Sequence, residues 1–253
     1  MKLHYREIGL GQPLVILHGL FGSSDNWQTQ AKRFAEYFRV ILVDLRNHGH
    51  SDWNDDSSYL AMANDVIELL QDLHLEKTIL LGHSMGGKVA MHVAQNHPLF
   101  LDKLIVVDMG MKEYPPHHQH ILQGIHSVKL KGVTSRSEAD KQLSNYIDTE
   151  GVKQFLLKNL YWKEKGQLAW RMNVSVLENS MGEILSAVPK KEVFLPTVFI
   201  RGELSNYILE EDFSDIENYF VDSQFITIQN SGHWVHAEKP EEFIDAVLNF
   251  CLR

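Results

Sequence analysis

Residues 78–94, TILLGHSMGGKVAMHVA, decide the fold of this chain. A short apolar run, Thr78-Ile79-Leu80-Leu81, leads into Gly82-His83-Ser84-Met85-Gly86, and a segment that favours a helix follows. A strand, a sharp turn and a helix are the context in which the pattern G-x-S-x-G presents a nucleophilic serine. Ser84 is therefore the predicted nucleophile. The alternative is a turn serine that only caps the following helix.

The bulk composition is that of an ordinary globular protein. The chain has 253 residues, of which 44% are hydrophobic and 23% charged, enough for one large domain with a full core. Its net charge of −9 argues against nucleic acid and anionic membranes as main partners. The single cysteine, Cys251, allows no intramolecular disulfide, which fits a reducing compartment.

Targeting and membrane signals are not evident in the sequence. The first residues lack the apolar core of a signal peptide, and no segment approaches the ~20 apolar residues of a membrane span. We therefore expect a cytoplasmic protein with no stable membrane insertion. The sequence leaves the oligomeric state open.

Short apolar runs alternate with amphipathic stretches along most of the chain. Near-continuous apolar runs suit strands that are buried on both faces of a parallel sheet. The runs are residues 14–17, 40–43, 78–81, 104–107, 197–200 and 224–228. The amphipathic stretches are residues 27–38, 59–73, 87–96, 210–219 and 241–252. This alternation predicts an α/β fold with a mostly parallel, doubly wound sheet, and residues 4–8 are a candidate antiparallel edge strand.

Residues 111–195 interrupt this alternation. They contain no convincing buried strand, only helical pieces that begin after Pro115-Pro116. An insertion between strands usually lies over the carboxyl ends of the sheet. We therefore expect an α/β core formed by residues 1–110 and 196–253. Residues 111–195 are expected to form a helical cap that is not an independent domain.

Three histidines at the start of this insertion, His117, His118 and His120, resemble a metal cluster at first sight. They follow a double proline and have no acidic or cysteine partner close by in the sequence. We interpret them as exposed polar residues at the start of a helix. No other segment has the spacing of metal ligands, and the glycine-rich stretches lack the patterns of a nucleotide site. No cofactor and no metal are predicted.

A serine nucleophile needs a base that accepts its proton. In the chain order Ser, acid, His, the base follows the last strand. Residues 224–228 form that predicted strand, and the following loop contains Gly232-His233. His233 is therefore the predicted base. His236 is the weaker alternative and suits a surface or helix-capping role, whereas His83 is expected to point away from the reacting centre and hold the turn.

The acid that orients the base is less obvious. A common position is the loop after residues 197–200, but Ser205 stands where an aspartate is expected. Asp108 directly follows the apolar run 104–107, at the tip of a predicted strand, where a carboxylate is costly to bury unless it is paired. We predict that Asp108 orients His233. The alternative for Asp108 is a role at the cap hinge or as a helix cap.

Three other carboxylates are weaker candidates for the acid, and Ser205 is a candidate for a further role in the site. The remaining candidate acids are Glu203, Glu210 and Asp212. If Asp108 is the acid, Ser205 becomes a possible fourth member of the site, hydrogen-bonded to His233 or to Asp108. An ordinary loop serine is the alternative for Ser205.

An oxyanion hole needs two backbone donors. One is expected from the amide of Met85, the residue after the nucleophile. The other is expected from the loop after residues 14–17, His18-Gly19-Leu20-Phe21-Gly22, whose glycines allow a close approach of the backbone. The Leu20 amide is the first choice and the Phe21 amide the second.

These motifs together resemble the α/β-hydrolase superfamily over nearly the whole chain. They are His18-Gly19-Leu20-Phe21-Gly22-Ser23, Asp44-Leu45-Arg46-Asn47-His48-Gly49-His50-Ser51, Gly82-His83-Ser84-Met85-Gly86-Gly87-Lys88 and Gly232-His233-Trp234. The form Arg-Asn-His-Gly-x-Ser and the serine after Gly202 are similar to a branch of small bacterial carboxylesterases and related mitochondrial hydrolases. That resemblance implies hydrolysis of short acyl esters and sometimes acyl-CoA, with an acid at Asp108 and a serine at Ser205.

The sequence departs from this branch at two points. The branch usually has Asp-Ile-x-Pro where this chain has Asp108-Met109-Gly110-Met111, and Gly-Gly-x-Ser where it has Gly202-Glu203-Leu204-Ser205. The first change affects the loop after the acid, and the second adds a carboxylate to the loop that holds Ser205.

We expect a carboxylesterase that cleaves esters of short to medium acyl chains through a Ser-His-Asp triad and an acyl-enzyme, with a small-molecule ester or thioester as substrate. An acyl-CoA thioesterase is one alternative, which a basic rim on the cap would favour. Candidates for that rim are Lys129, Lys131, Arg136 and Lys141. A C–C hydrolase or lyase with the same triad is another alternative. A non-enzymatic binding protein is least favoured, because a pure binder need not retain all three groups.

Overall fold

The computed structural model describes residues 1–133 and 135–253. Its strands are β1 (Tyr5–Ile8), β2 (Pro13–Leu17), β3 (Arg39–Val43), β4 (Thr78–His83), β5 (Leu101–Val107), β6 (Leu160–Glu164), β7 (Gln167–Trp170), β8 (Thr197–Gly202) and β9 (Ser223–Ile228). Its α-helices are α1 (Gln28–Phe34), α2 (Tyr59–Asp72), α3 (Met85–Asn96), α4 (Gln119–Ser127), α5 (Arg136–Leu143), α6 (Glu150–Leu157), α7 (Val174–Asn179), α8 (Met181–Leu185), α9 (Phe213–Tyr219), α10 (Val235–Glu238) and α11 (Pro240–Cys251). Short 3-10 helices cover Ser24–Trp27, Pro98–Phe100 and Glu210–Asp212.

Within the described residues, the central sheet has seven strands in the order β1-β3-β2-β4-β5-β8-β9. All neighbouring pairs are parallel except β1 with β3, which is antiparallel. The predicted parallel, doubly wound sheet and its antiparallel edge strand are therefore confirmed. Because parallel strands end at the same edge, the loops after β4, β5, β8 and β9 meet there, which is where a ligand site is expected in such a sheet.

Buried apolar residues cover both faces of the sheet. Side chains alternate along each strand, so Val15 of β2 belongs to one apolar cluster, which includes α2 and α3, whereas Ile16 belongs to the other, which includes α1 and α11. Burial of each such side chain stabilises the fold by about 1.5–3 kcal/mol. These two layers fix the strands that carry the site.

The inserted residues contain a hairpin as well as helices. Helices α4 to α8 lie in this region as expected, but β6 and β7 pair antiparallel in a small second sheet. The expected helical cap thus also contains a short hairpin, which the sequence pattern did not indicate. These strands are short and half-exposed, so they lack the continuous apolar run that identifies buried strands, and Gly166 forms their turn with a positive φ of 78°.

Among the described residues, no helix combines the length and the apolar character that a crossing of the bilayer demands.

Candidate active site

Ser84 occupies the sharp turn between β4 and α3. Its φ of 53° and ψ of −122° are unusual for a side-chain-bearing residue. The turn requires glycine on both sides, since a Cβ on Gly82 would lie 2.1 Å from the Gly86 carbonyl oxygen and one on Gly86 would lie 2.5 Å from the His18 carbonyl oxygen. The predicted strand, turn and helix around Ser84 are confirmed, and the serine is held at the carboxyl edge of the sheet.

Asp108 directly follows β5 and is fully buried. Its Oδ1 accepts a hydrogen bond from the Gly202 amide at 3.0 Å. Its Oδ2 accepts a short hydrogen bond from the Ser205 hydroxyl and lies 2.8 Å from His233 Nδ1. A buried carboxylate is tolerated when its oxygens are paired in this way. The structure therefore brings Asp108 together with His233.

The other candidate acids make different contacts. The carboxylate of Glu203 accepts from the Asn230 amide at 2.9 Å. Glu210 contacts Arg201 at 3.3 Å, and Asp212 contacts Lys112 at 2.5 Å. Among the four candidate acids, the carboxylate that contacts the His233 ring is that of Asp108.

His233 lies in the loop between β9 and α10. A carboxylate can only accept, so His233 Nδ1 carries the proton that it donates to Asp108, and Nε2 is left as the basic nitrogen. The imidazole stacks on the Tyr207 ring with 3.9 Å between ring centroids. His83 Nε2 donates to the His233 carbonyl oxygen at 2.9 Å. His83 thus holds the loop that contains His233, while burial of His83 keeps its own pKa well below the usual value.

Ser205 lies in the loop after β8. Its hydroxyl donates to Asp108 and accepts from the Tyr207 amide at 3.2 Å. Of the two partners considered for Ser205, the structure selects Asp108. Tyr207 was not identified from the sequence, because its only signal is its position two residues after Ser205. Its hydroxyl lies 2.6 Å from His117 Nε2.

The loop after β2 approaches Ser84 closely. A Cβ on Gly19 would lie 3.2 Å from the Ser84 Cβ. The Phe21 amide donates to His48 Nε2 at 3.2 Å, which makes it a poor choice as an oxyanion donor. No hydrogen bond among residues 1–133 and 135–253 uses the amides of Leu20 or Met85. Both amides are thus available as donors beside Ser84.

Ser84 borders two cavities. The larger, of about 200 Å³, includes His233, Trp234 and Phe155 in its lining. The smaller, of about 20 Å³, includes Met85, Met109 and Ile184. We refer to them as the large cavity and the small cavity. The residues considered as a basic rim, Lys129, Lys131, Arg136 and Lys141, do not line either one.

The three cap histidines line the large cavity. His117, His118 and His120 all contribute to it, and His117 and His118 are half-buried, so the expectation of exposed residues is wrong for these two. Burial lowers the pKa of His118 to about 3, which keeps its imidazole neutral. Within the described part of the chain, no three His, Cys, Asp or Glu side chains are grouped so that they could hold a metal ion.

His236 is not a surface residue. Only 3% of it is exposed, and its ring stacks on Trp27 with 4.2 Å between centroids. Burial lowers its pKa to about 3. The expectation of a surface or capping role is therefore wrong, because α10 directs this side chain inward against Trp27, at the end of the 3-10 helix Ser24–Trp27.

Comparisons with known proteins extend the similarity beyond these motifs. Residues 12–131 match a family described as alpha/beta hydrolase fold. A marine microorganism esterase of known structure is 40% identical, with a TM-score of 0.96 over 98% of this chain and 99% of that chain. The sn-1-specific diacylglycerol lipase ABHD11 of Mus musculus is 38% identical and aligns with 94% of this chain and 80% of its own length. Esterase YbfF of Escherichia coli is 34% identical over 94% of this chain and 91% of its own length.

Proposed function

The chain belongs to the α/β-hydrolase family, and on this premise we propose that it is a serine hydrolase that cleaves carboxylic esters of short to medium acyl chains. The observation that carries the proposal is the arrangement of Ser84, Asp108 and His233 just after strands β4, β5 and β9, with Ser84 and His233 lining the large cavity and Asp108 bonded to His233. Relatives named esterase and lipase support the choice of esters.

In the first step, the Ser84 hydroxyl attacks the ester carbonyl carbon. His233 Nε2 accepts the serine proton as the new C–O bond forms. Asp108 fixes the imidazole in the tautomer with a proton on Nδ1 and stabilises the imidazolium that results. The product of this step is a tetrahedral intermediate with a negative oxygen.

In this proposal the amides of Leu20 and Met85 stabilise that oxygen. One belongs to the loop after β2 and the other to the first residue of α3, so the two donors come from separate elements beside Ser84. Removal of one such donor typically lowers turnover by about a hundred- to a thousandfold. We assign the oxyanion hole to these two amides.

Collapse of the intermediate breaks the bond to the leaving oxygen. His233 donates its Nε2 proton to that oxygen, and the alcohol departs while the acyl group remains on Ser84. A water then attacks the acyl carbon while His233 accepts its proton, the bond between the acyl carbon and Ser84 Oγ breaks, and His233 returns the proton to Oγ, so that the carboxylic acid is released and the free serine is regenerated. In this scheme Ser205 is a positioning residue, because its hydroxyl holds Asp108 and does not touch the substrate.

The proposal is tested by detection of the acyl-enzyme. Wild-type protein mixed rapidly with p-nitrophenyl acetate is expected to gain the mass of one acetyl group and to release p-nitrophenol in a burst. Ser84→Ala is expected to lose both signals, with peptide mapping of the wild type placing the label on Ser84. A labelled Ser84→Ala protein, or unchanged turnover in that variant, would contradict the proposal.

The alternatives are separated by a substrate panel with the same two proteins. Hydrolysis of acetyl-CoA or butyryl-CoA at rates above those of the matching esters would indicate a thioesterase. Turnover of carbon–carbon bonds in diketone substrates without turnover of esters would indicate a C–C hydrolase. Saturable ligand binding without turnover of any class would indicate a binding protein.

A further inference from the structure

Ser84 lies where the large and the small cavity meet. Four residues line both of them: Leu20, Ser84, His118 and Tyr207. The remaining lining differs. Phe155 and Trp234 line the large cavity, together with aliphatic side chains such as Leu156, whereas Met109 and Ile184 line the small one. An ester bound at Ser84 must direct its two halves into these two spaces.

The positions of the base and of the oxyanion donor decide which half enters which cavity. His233 lines only the large cavity, and Met85 lines only the small one. The nitrogen that accepts the serine proton must deliver it to the leaving oxygen, so the alcohol half lies on the side of His233. The acyl chain, on the other side of the carbonyl carbon, is directed into the small cavity.

Resting on the proposed function, we propose that the small cavity is the acyl site and that it favours an acetyl group over longer chains. The preferred substrates are then acetyl esters of bulky alcohols. The small cavity has a volume of about 20 Å³. A single water needs about 10–15 Å³ measured in this way, so the space suits one group of methyl size. The large cavity, at about 200 Å³, accommodates an aryl alcohol.

The walls of the small cavity are held in place by hydrogen bonds to the rest of the protein. The Tyr114 hydroxyl donates to the Tyr207 carbonyl oxygen at 2.7 Å and accepts from the Gly110 amide at 2.9 Å. The Ile184 carbonyl oxygen accepts from the Tyr59 hydroxyl at 2.7 Å. Because Ile184 and Tyr114 are also buried, the small cavity cannot widen without breaking these contacts.

A buried lysine fixes the part of the small cavity that Leu185 lines. Lys88, which is fully buried in α3, donates from Nζ to the carbonyl oxygens of Leu185 at 3.2 Å and of Ser186. This contact ties the end of α8, on the cap, to the helix that begins at the nucleophile. The size of the small cavity is therefore set jointly by core and cap.

The first experiment varies the acyl chain with a constant leaving group. The kcat/KM values of the wild type are measured on p-nitrophenyl acetate, butyrate, hexanoate and octanoate. We expect acetate to exceed butyrate by at least tenfold, since a methylene that does not fit typically costs about ten- to two-hundredfold. A second series keeps the acetyl group and varies the alcohol, and phenyl and naphthyl acetate are expected to match or exceed ethyl acetate.

The second experiment enlarges one cavity at a time. Ile184→Ala and Met109→Ala each remove part of the small cavity's wall and are expected to narrow the acetate-to-butyrate ratio by about tenfold. Ile121→Ala is the matched control, because Ile121 lines the large cavity alone. It is expected to leave the acyl-chain ratio within about twofold and to alter the KM for naphthyl acetate.

The outcomes separate this inference from the proposed function. A flat or rising chain-length profile in a wild type that hydrolyses esters would overturn the assignment of the small cavity and leave ester hydrolysis intact. A change of the acyl-chain ratio in Ile121→Ala, with no change in Ile184→Ala and Met109→Ala, would place the acyl chain in the large cavity. Failure to hydrolyse any ester would remove the proposed function and this inference with it.

Discussion

The carboxyl edge of the sheet and the inserted cap face each other across the large cavity, but they hold their residues in different ways. Ser84 and Asp108 each directly follow a strand, and His233 is fixed by hydrogen bonds through its ring and its backbone. From the cap, Phe155 is positioned by packing on Trp234, with 4.4 Å between ring centroids. A displacement of about 1 Å can abolish much of the catalysis, so the reacting groups need attachment to strands and hydrogen bonds. A residue that only lines the substrate cavity can be held by packing alone.

Asp108→Asn tests whether the carboxyl edge of the sheet fixes the reaction geometry, and it is expected to have the largest effect. The amide of asparagine would favour the wrong tautomer of His233, so we expect kcat to fall by about ten-thousandfold with little change in fold. The measurement is steady-state hydrolysis of p-nitrophenyl acetate, with circular dichroism as the check on folding. Near-normal turnover would move the acid away from Asp108, and Asp212→Asn and Glu203→Gln would then be compared.

Ser205→Ala tests how much the position of the Asp108 carboxylate depends on its hydrogen bond from Ser205. Loss of a hydrogen bond to a charged group costs about 1.5–3 kcal/mol, so kcat is expected to fall by about tenfold to a hundredfold. Ser205→Thr, which retains a hydroxyl, is expected to recover part of the loss. Ser144→Ala, on the exposed surface of the cap, is the control and is expected to retain full activity. Equal activity in Ser205→Ala and wild type would show that Gly202 and His233 suffice to hold the carboxylate.

Phe155→Ala tests whether the cap contributes to substrate binding and not to the chemical step. The aromatic contact with Trp234 is worth about 0.5–1.5 kcal/mol beyond area burial, so we expect KM for aryl acetates to rise by about two- to tenfold. The value of kcat is expected to change by less than about twofold, since no reacting group depends on Phe155. A loss in kcat as large as that of Ser205→Ala would mean that the cap also positions the reacting groups. The proposed difference between the sheet edge and the cap would then be wrong.

His236→Phe is expected to leave turnover unchanged and to alter only the acid stability. The pKa of His236 is lowered by burial to about 3, whereas in the unfolded chain it is near 6.5. Between these pH values the unfolded state binds a proton that the folded state does not, so the free energy of unfolding decreases as the pH falls. Phenylalanine removes that proton and should make the decrease shallower, by up to about 1.4 kcal/mol per pH unit.

Urea unfolding followed by tryptophan fluorescence at several pH values between 3 and 6.5 provides the measurement for His236→Phe. The control is His120→Phe, a substitution of an exposed cap histidine, which should leave the pH dependence unchanged. An equally steep acid dependence in His236→Phe would show that other buried histidines, such as His48, whose pKa burial also lowers to about 3, dominate acid unfolding.

Much of the fold could be predicted because its signals are local. The apolar runs at 14–17 and 40–43 lie within β2 and β3, and the G-x-S-x-G pattern lies at the junction of β4 and α3. The hairpin of β6 and β7 was missed because a short strand with one exposed face has a weak pattern. Its pairing depends on contacts with the rest of the cap that no run of neighbouring residues encodes.

The histidines show the same limit in the site. His233 was found because a loop histidine after the last strand has a defined place in the chain order. The sequence indicates an exposed position for His118 and a surface or helix-capping role for His236, since a polar side chain gives no signal of the cavity or ring that will cover it. Burial of a polar group is decided by distant partners, here Trp27 for His236.

The sequence by itself determined the sheet, the turn at Ser84, and Asp108 and His233 as candidate partners. These features have local causes and can therefore be identified in the chain. Some glycines leave no room for a Cβ, and the apolar runs must be buried. The tertiary structure decided that Ser205 binds Asp108, 97 positions away, and that two unequal cavities meet at Ser84. Those features depend on distances between elements, which are fixed only when the two apolar layers pack on the sheet and the cap closes over its edge.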